Sequence, residues 1–239
     1  MEAAIVALIL VAAVVAAAAG IRAARQRAHA QTQRLLQRSF APCETEPLQD
    51  LVRRLQSSEQ LEVRRAWKRS GSGGPIHWVE VVQAHGDRPV NASDEFLCTL
   101  RRRSSEPFVL YLKPMPMGRG FRSSLIENLL TFTMPRHLEK VELGNGALAE
   151  FLLAAFCPKG LVLSEVIDDA LLQILAQGAQ HGIYAIRAEG EDCSFELFGA
   201  PAAKSLGPVS WEDTCAFVEK IAAWTAPRAT VHTAMAARG

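Results

Sequence analysis

Arginine is the residue type that recurs where this sequence could do chemistry. Arg101, Arg102 and Arg103 follow a strand-like run, and Arg119 and Arg122 lie in a glycine-containing segment further along the chain. Guanidinium groups that gather on one face attract anions or an acidic partner surface. The five residues are therefore a predicted patch for an anion, a lipid headgroup or a partner protein. The alternative is that they only aid solubility and protect a strand edge.

The segment G-R-G-F-R-S at 118–123 has part of the pattern of a phosphate-binding turn. It follows a strand-like run and precedes a possible helix, whose N-terminus would favour an anion. The third glycine of the dinucleotide fingerprint is missing, and the surrounding pattern is not a βαβ unit. An ordinary loop is therefore the preferred interpretation.

No other residues have the spacing of a catalytic or metal site. His137 and Glu139 would share one face of a strand and Glu142 would lie on the other. Asp168 and Asp169 fall in the first turn of a predicted helix, where the helix dipole explains them. The G-x-S-x-G, H-E-x-x-H and Walker A patterns are absent. We therefore predict no catalytic residue, metal or cofactor, and the sequence does not favour an enzyme.

The first part of the chain predicts a membrane anchor. The nineteen residues from Ala3 to Ile21 carry no charge, and a helix of that length roughly matches a hydrocarbon core of about 30 Å. Arg22, Arg25 and Arg27 follow this stretch, whereas a cleaved signal peptide has its positive charge before the apolar run. The positive-inside rule then places the N-terminus outside and the main domain in the cytoplasm.

These observations predict a single-pass, uncleaved anchor over residues 1–21, held in the lipid bilayer through residues 3–21. The Ala- and Arg-rich composition suits a GC-rich bacterium, and the span with its basic flank predicts the bacterial inner membrane. A basic juxtamembrane segment over 22–45 follows, then a cytoplasmic domain over 46–226 with a possible subdomain boundary near 144. Residues 227–239 are a predicted disordered tail.

The net charge and the cysteine content exclude some classes of protein and of site. A net charge of +1 argues against a nucleic-acid-binding protein. The five cysteines are scattered, odd in number and without a C-x-x-C pair, which predicts reduced thiols rather than disulfides or a zinc site.

Strand periodicity dominates the first half of the predicted domain. A short amphipathic helix over 47–57 precedes a hairpin of strands 61–69 and 76–82, in which Trp67 and Trp78 are expected to pair. The alternation in the first strand places Trp67 on the same face as Leu61 and Val63. Two further strands are predicted over 96–101 and 107–113.

The second half mixes helices with a hairpin. The apolar stripe of Leu148, Phe151, Leu152 and Ala155 predicts a helix ending at Pro158, and a second helix begins near Ser164. A hairpin over 183–198 follows, and S-W-E-D at 210–213 predicts the start of a last helix. The predicted fold class is α+β: an N-terminal transmembrane helix, then a mainly antiparallel sheet with helices packed on one face.

The leading functional hypothesis is a protein-binding or scaffolding module at the membrane surface, with an unidentified protein partner. One alternative is a membrane-anchored, hydrolase-like enzyme whose site residues are dispersed along the sequence. The other is a lipid- or anion-sensing domain that uses the arginine patch.

Overall fold

The chain divides into two compact units, Met1–Pro42 and Cys43–Gly239. In the computed structural model, the described residues are 2–85, 88–113, 134–143, 148–197 and 210–224. The first unit contains helix α1 (Glu2–Gln37) and the short strand β1 (Ala41–Pro42). The helix ends where Ser39 adopts a left-handed conformation (φ 61°), and the Phe40 amide then donates to the Leu35 carbonyl at 3.0 Å.

The predicted anchor over 1–21 falls within α1, but the side chains of residues 1–14 lie outside those described. Helix α1 continues without a break beyond residue 21 and ends at Gln37, within the predicted basic segment. Of the helices in the described residues, none meets the length and apolarity that a membrane crossing requires.

The second unit is an antiparallel sheet with helices. Its strands lie side by side in the order β2-β3-β4-β9-β8-β5-β7-β6, and the register of each neighbouring pair is antiparallel. Their bounds are β2 Leu61–Gly71, β3 Gly74–His85, β4 Arg88–Thr99, β5 Phe108–Leu112, β6 Leu138–Lys140, β7 Leu152–Pro158, β8 Ile183–Glu189 and β9 Asp192–Leu197. The helices are α2 Glu46–Gln56, α3 Leu148–Phe151, α4 Leu163–Val166, α5 Asp169–Ala176, the 3-10 helix Gln177–His181 and α6 Trp211–Ala222. The predicted α+β class with a mainly antiparallel sheet is borne out at this level.

The β2–β3 hairpin forms as predicted, and Trp67 lies directly opposite Trp78. The predicted shared face of Trp67, Leu61 and Val63 is wrong, because the β2–β3 register shifts between Val63 and Arg65. This bulge inserts one residue and reverses the alternation beyond it. Val63 therefore packs with the α2 side of the sheet, and Trp67 lies on the opposite face.

The helix predicted over 148–157 is largely a strand. Helix α3 covers only Leu148–Phe151, and the chain continues as β7, which pairs with β5 on one side and β6 on the other. Each β7 residue from Leu152 to Cys157 is buried. A strand covered on both faces is apolar at every position, so its sequence lacks the two-residue period that identifies a half-exposed strand.

Helices cover both faces of the sheet, which corrects the prediction that they pack on one. Leu97 lies in the apolar cluster formed with α2, whereas the ring of its neighbour Phe96 lies 5.1 Å from that of Trp211 in α6. Adjacent strand residues point to opposite faces. The predicted single helix after Ser164 is instead α4, α5 and the 3-10 helix, with Ile167 extended between the first two.

Two local predictions are confirmed. Helix α2 buries Leu48, Val52 and Leu55 against the sheet. In α6, the hydroxyl oxygen of Ser210 accepts a hydrogen bond from the Asp213 amide at 3.0 Å. The sheet also pairs strands from both sides of residue 144, where a subdomain boundary was considered.

Burial of α2 against the sheet should be a main source of stability. Val52 is 0 % exposed and Val162 is 55 % exposed. We expect Val52→Ala to lower the free energy of unfolding by about 2–3 kcal/mol, because two methyl groups and their packing are lost. Val162→Ala is the matched control and should change it by less than about 0.5 kcal/mol. Urea unfolding followed by tryptophan fluorescence measures both, and equal losses would contradict the packing described.

Candidate functional site

The strand order brings three charged residues together in the middle of the sheet. Glu95 on β4 lies directly opposite Glu196 on β9, and Arg187 lies on β8, the next strand. The Arg187 Nη1 and Glu196 Oε2 atoms are 2.8 Å apart. These residues, here called the ionic array, lie on the sheet face covered by α2, since the Gln56 side chain at the end of α2 bonds to Glu95.

Glu95 has a fully buried carboxyl group that lies near the carboxyl group of Glu196. Its Oε1 accepts hydrogen bonds from Gln56 and from Ser93, the latter at 3.3 Å. Its Oε2 has no hydrogen-bond partner among the described residues. Burial, and then the negative charge of Glu196, raise the pKa of Glu95 to about 7, against the opposing effect of Arg187. Glu95 therefore holds a proton well above the pH at which an exposed glutamate loses it.

Arg187 is the cation of the array and is 8 % exposed. Burial lowers the pKa of Arg187, but Glu196, Tyr111 and Glu95 raise it more, so the net shift is upward. Its Nη2 donates to the Tyr111 hydroxyl at 3.5 Å, and its guanidinium carbon lies 5.7 Å from the centre of that ring. The side chain is thus held on two sides and stays charged.

A cavity of about 560 Å³ opens beside the array; we call it the α2 cavity. Arg187 of the array lines it, and so does Gln56, which bonds to Glu95. The other lining residues come from α2 and the loop after it, from the start of β5, from 134–138 and from the end of β8. They are Asp50, Arg53, Arg54, Leu55, Ser57, Glu59, Pro107, Phe108, Val109, Met134, Pro135, His137, Leu138, Ala188 and Glu189.

The two arginines of α2 that line the cavity have different roles. Arg54 pairs with Asp192, and with Glu189 at 3.6 Å, which ties α2 to the β8–β9 hairpin. Arg53 donates from Nε to the Leu61 carbonyl at 3.1 Å. Among the described residues Arg53 has no ion pair, so its two terminal nitrogens are available to a ligand.

The predicted arginine patch is only partly described. Arg101 is exposed, while Arg102 donates to the Gly190 and Glu106 carbonyls at 3.2 and 2.6 Å. Arg103 pairs with Asp168 at 3.4 Å. Arg102 and Arg103 are thus engaged within the protein, and Arg119 and Arg122 lie outside the described residues.

Of the other residues considered from the sequence, His137 is near the candidate site. Arg22 and Arg25 are exposed, and the Arg27 side chain lies outside those described. His137 lines the α2 cavity, whereas Glu139 accepts a hydrogen bond from the Gly160 amide at 2.8 Å. Within the described ranges, no three His, Cys, Asp or Glu side chains are grouped to hold a metal ion.

The five cysteines are free thiols in the structure. Cys98 and Cys193 lie directly opposite each other on β4 and β9. Burial raises the pKa of both thiols, that of Cys98 to about 12. Both therefore stay protonated and unreactive in the folded protein.

Sequence reasoning missed the residues of the array and Arg53. One signal was present: Arg187 interrupts the otherwise apolar run I-Y-A-I-R-A of β8, and a charge inside a buried strand needs a partner. No protein-family model, curated protein or solved structure matches this chain. A function is therefore inferred from the array and the cavity.

The raised pKa of Glu95 has a consequence for stability. Between pH 4.5 and 7 the folded protein holds a proton on Glu95 that the unfolded chain has released, so stability falls as the pH rises through this range. We expect Glu95→Gln to be close to neutral at pH 5 and to stabilise the protein at pH 8, because the amide never ionises. Urea midpoints at the two pH values measure this. A variant that is destabilised more at pH 8 than at pH 5 would contradict the assignment.

Removing Arg187 should leave two carboxyl groups without their shared cation. We expect Arg187→Met to lower the free energy of unfolding by about 3–5 kcal/mol at pH 8. The loss should be smaller at pH 5, where Glu95 is protonated. Arg64→Met, at an exposed arginine of β2, is the control and should have little effect. Equal losses at both pH values would show that Arg187 does not balance Glu95.

Proposed function

We propose that this chain is a membrane-tethered binding module that holds a partner at the membrane surface and does not catalyse a reaction. Residues 3–21 are the single-pass anchor in the bacterial inner membrane, with the N-terminus outside. Arg22, Arg25 and Arg27 retain the following residues on the cytoplasmic side, because positively charged flanks are poorly translocated. Tethering raises the local concentration of the module for partners at that surface.

The observation that carries the proposal is the polar wall of the α2 cavity. Its side chains are held by ion pairs and hydrogen bonds to neighbouring residues. Arg187 is paired with Glu196, Gln56 donates to Glu95, and Arg54 is paired with Asp192. Side chains that are already fixed lose little conformational entropy when a ligand binds. A volume of about 560 Å³ lies within the range of ligand sites.

The alternative of a membrane-anchored, hydrolase-like enzyme has less support. Two carboxyl groups have the pKa of a general acid or base near neutral pH, because burial raises the pKa of Glu95 to about 7 and that of Asp94 to about 6. A catalytic acid or base must come within hydrogen-bond reach of its substrate. Glu95 is 0 % exposed, and neither Glu95 nor Asp94 is among the residues that line the cavity.

The lipid- or anion-sensing alternative also has less support at the predicted arginine patch. Arg102 and Arg103 contact groups of the protein itself, although Arg103, like Arg101, is exposed. Such contacts leave fewer donors for a headgroup.

Protease accessibility tests the tether and its direction. A tag at the C-terminus should resist digestion in intact spheroplasts and be digested after the membrane is ruptured, and the full-length chain should be found in the membrane fraction. Digestion of the tag in intact spheroplasts, or a product shortened near Ala19, would overturn the proposed topology.

Photo-crosslinking in cells tests the cavity as the binding site. A benzophenone amino acid at position 59, on the cavity lining, should give a defined protein adduct. The same group at position 62, an exposed residue of β2 outside the cavity lining, is the control and should not. The same adducts from both positions, or none from position 59, would count against a binding role for the cavity.

A further inference from the structure

We propose that the α2 cavity binds an organic carboxylate with an apolar body, its charged end at Arg53 and its body against Val109, Met134 and Leu138. This rests on the proposed function, since it names the chemistry of the group that the binding site takes. Two features of the cavity, one apolar and one cationic, carry the inference.

The apolar feature is a wall formed by β5 and the residues before β6. Val109 is 5 % exposed and belongs to an apolar cluster, and Met134 and Leu138 are partly buried side chains packed against that cluster. All three line the cavity. Apolar surface that is left partly open in a cavity gains free energy when an apolar ligand covers it.

The cationic feature is the Arg53 guanidinium on the α2 side. Its hydrogen bond to the Leu61 carbonyl uses Nε and limits how the side chain can turn. A carboxylate fits the two remaining nitrogens, because guanidinium and carboxylate groups form paired hydrogen bonds in one plane. An ion pair of this kind also restrains the carboxylate next to the apolar wall.

The ionic array does not repel such a ligand. Glu196 and Arg187 balance each other, and Glu95 is neutral while it holds its proton. Arg54 pairs with Asp192 and lies 3.6 Å from Glu189, so it offsets part of their negative charge. Asp50 and Glu59 are exposed carboxylates that also line the cavity, and neither has an ion pair among the described residues. Both carboxylates repel an anionic ligand, so removing the charge of one of them should strengthen its binding.

The test uses the full chain in phospholipid nanodiscs and three probes. The first probe is 3-phenylpropionate, which has both the charge and the apolar body. Acetate lacks the apolar body, and 3-phenylpropan-1-ol lacks the charge. We expect the dissociation constant of 3-phenylpropionate, measured by saturation-transfer NMR, to be about tenfold lower than that of either other probe. Equal binding of the acid and the alcohol, or no binding of the acid, would overturn the inference.

Three variants locate the site. Arg53→Gln should weaken binding of 3-phenylpropionate by about tenfold, while Arg64→Gln, at an exposed arginine outside the cavity lining, should leave it unchanged. Glu59→Gln should strengthen binding, because a repelling charge is removed. A misfolded variant cannot produce that gain. Equal effects of Arg53→Gln and Arg64→Gln, or weaker binding by Glu59→Gln, would overturn the assignment.

The carboxylate has two possible sources, a free organic acid or an acidic group beside an apolar one on a partner protein. A protein adduct at position 59 that 3-phenylpropionate suppresses in membrane vesicles would assign the group to the partner. Binding of the probe without any such adduct would assign it to a free acid, and the protein-scaffolding role would fail. An adduct at position 59 together with no probe binding would overturn this inference and leave the proposed function standing.

Discussion

The structure depends on placing two carboxyl groups and one guanidinium group on the face of the sheet that α2 covers. Transferring a charge from water into a protein interior costs several kcal/mol, and a single ion pair often fails to recover it. Glu95, Glu196 and Arg187 reduce this cost in two ways. Arg187 faces Glu196, and Glu95 keeps a proton, because burial and the charge of Glu196 raise its pKa to about 7. Near neutral pH the array therefore buries little net charge.

This constraint links the sheet to the helix that covers it. The array needs β4, β9 and β8 side by side in one register, since a slip of one residue would turn Glu95 to the other face. It also needs the end of α2, because Gln56 supplies a hydrogen bond to Glu95. The apolar residues of α2 hold the helix on the sheet, and its polar end completes the array. The α2 cavity is lined by Gln56 at the end of the helix and by Arg187 of the array. The packing of α2 on the sheet therefore also forms the polar wall of the cavity.

Secondary structure was predictable from the sequence where the residues of one short segment determine it. Alternation and turn residues identify the β2–β3 and β8–β9 hairpins, and S-W-E-D identifies the start of α6. Strand β7 was predicted as a helix, because burial on both faces removes the two-residue period. The bulge after Val63 likewise leaves no clear mark in the sequence, so the face of Trp67 was wrong.

The site was less predictable than the fold. Four strands were predicted in succession along the chain, and in the sheet the β8–β9 hairpin lies between the last two of them, β4 and β5. That insertion pairs Glu95 with a residue about a hundred positions later, and no local pattern encodes it. In D-E-F-L-C-T the glutamate resembles an ordinary solvent-facing strand residue. Only the arginine within the apolar run of β8 indicated a buried charge.

The most direct measurement is the titration of the Glu95 carboxyl group. Carboxyl carbon-13 shifts of glutamate-labelled protein can be followed from pH 3 to 9, with Glu95 assigned by the signal lost in Glu95→Gln. We expect a midpoint near pH 7, since burial and Glu196 raise the pKa of this group to about 7. A midpoint near 4.5, the ordinary pKa of a glutamate carboxyl group, would show that Glu95 is solvated or paired. In that case the array would not organise the polar wall of the α2 cavity.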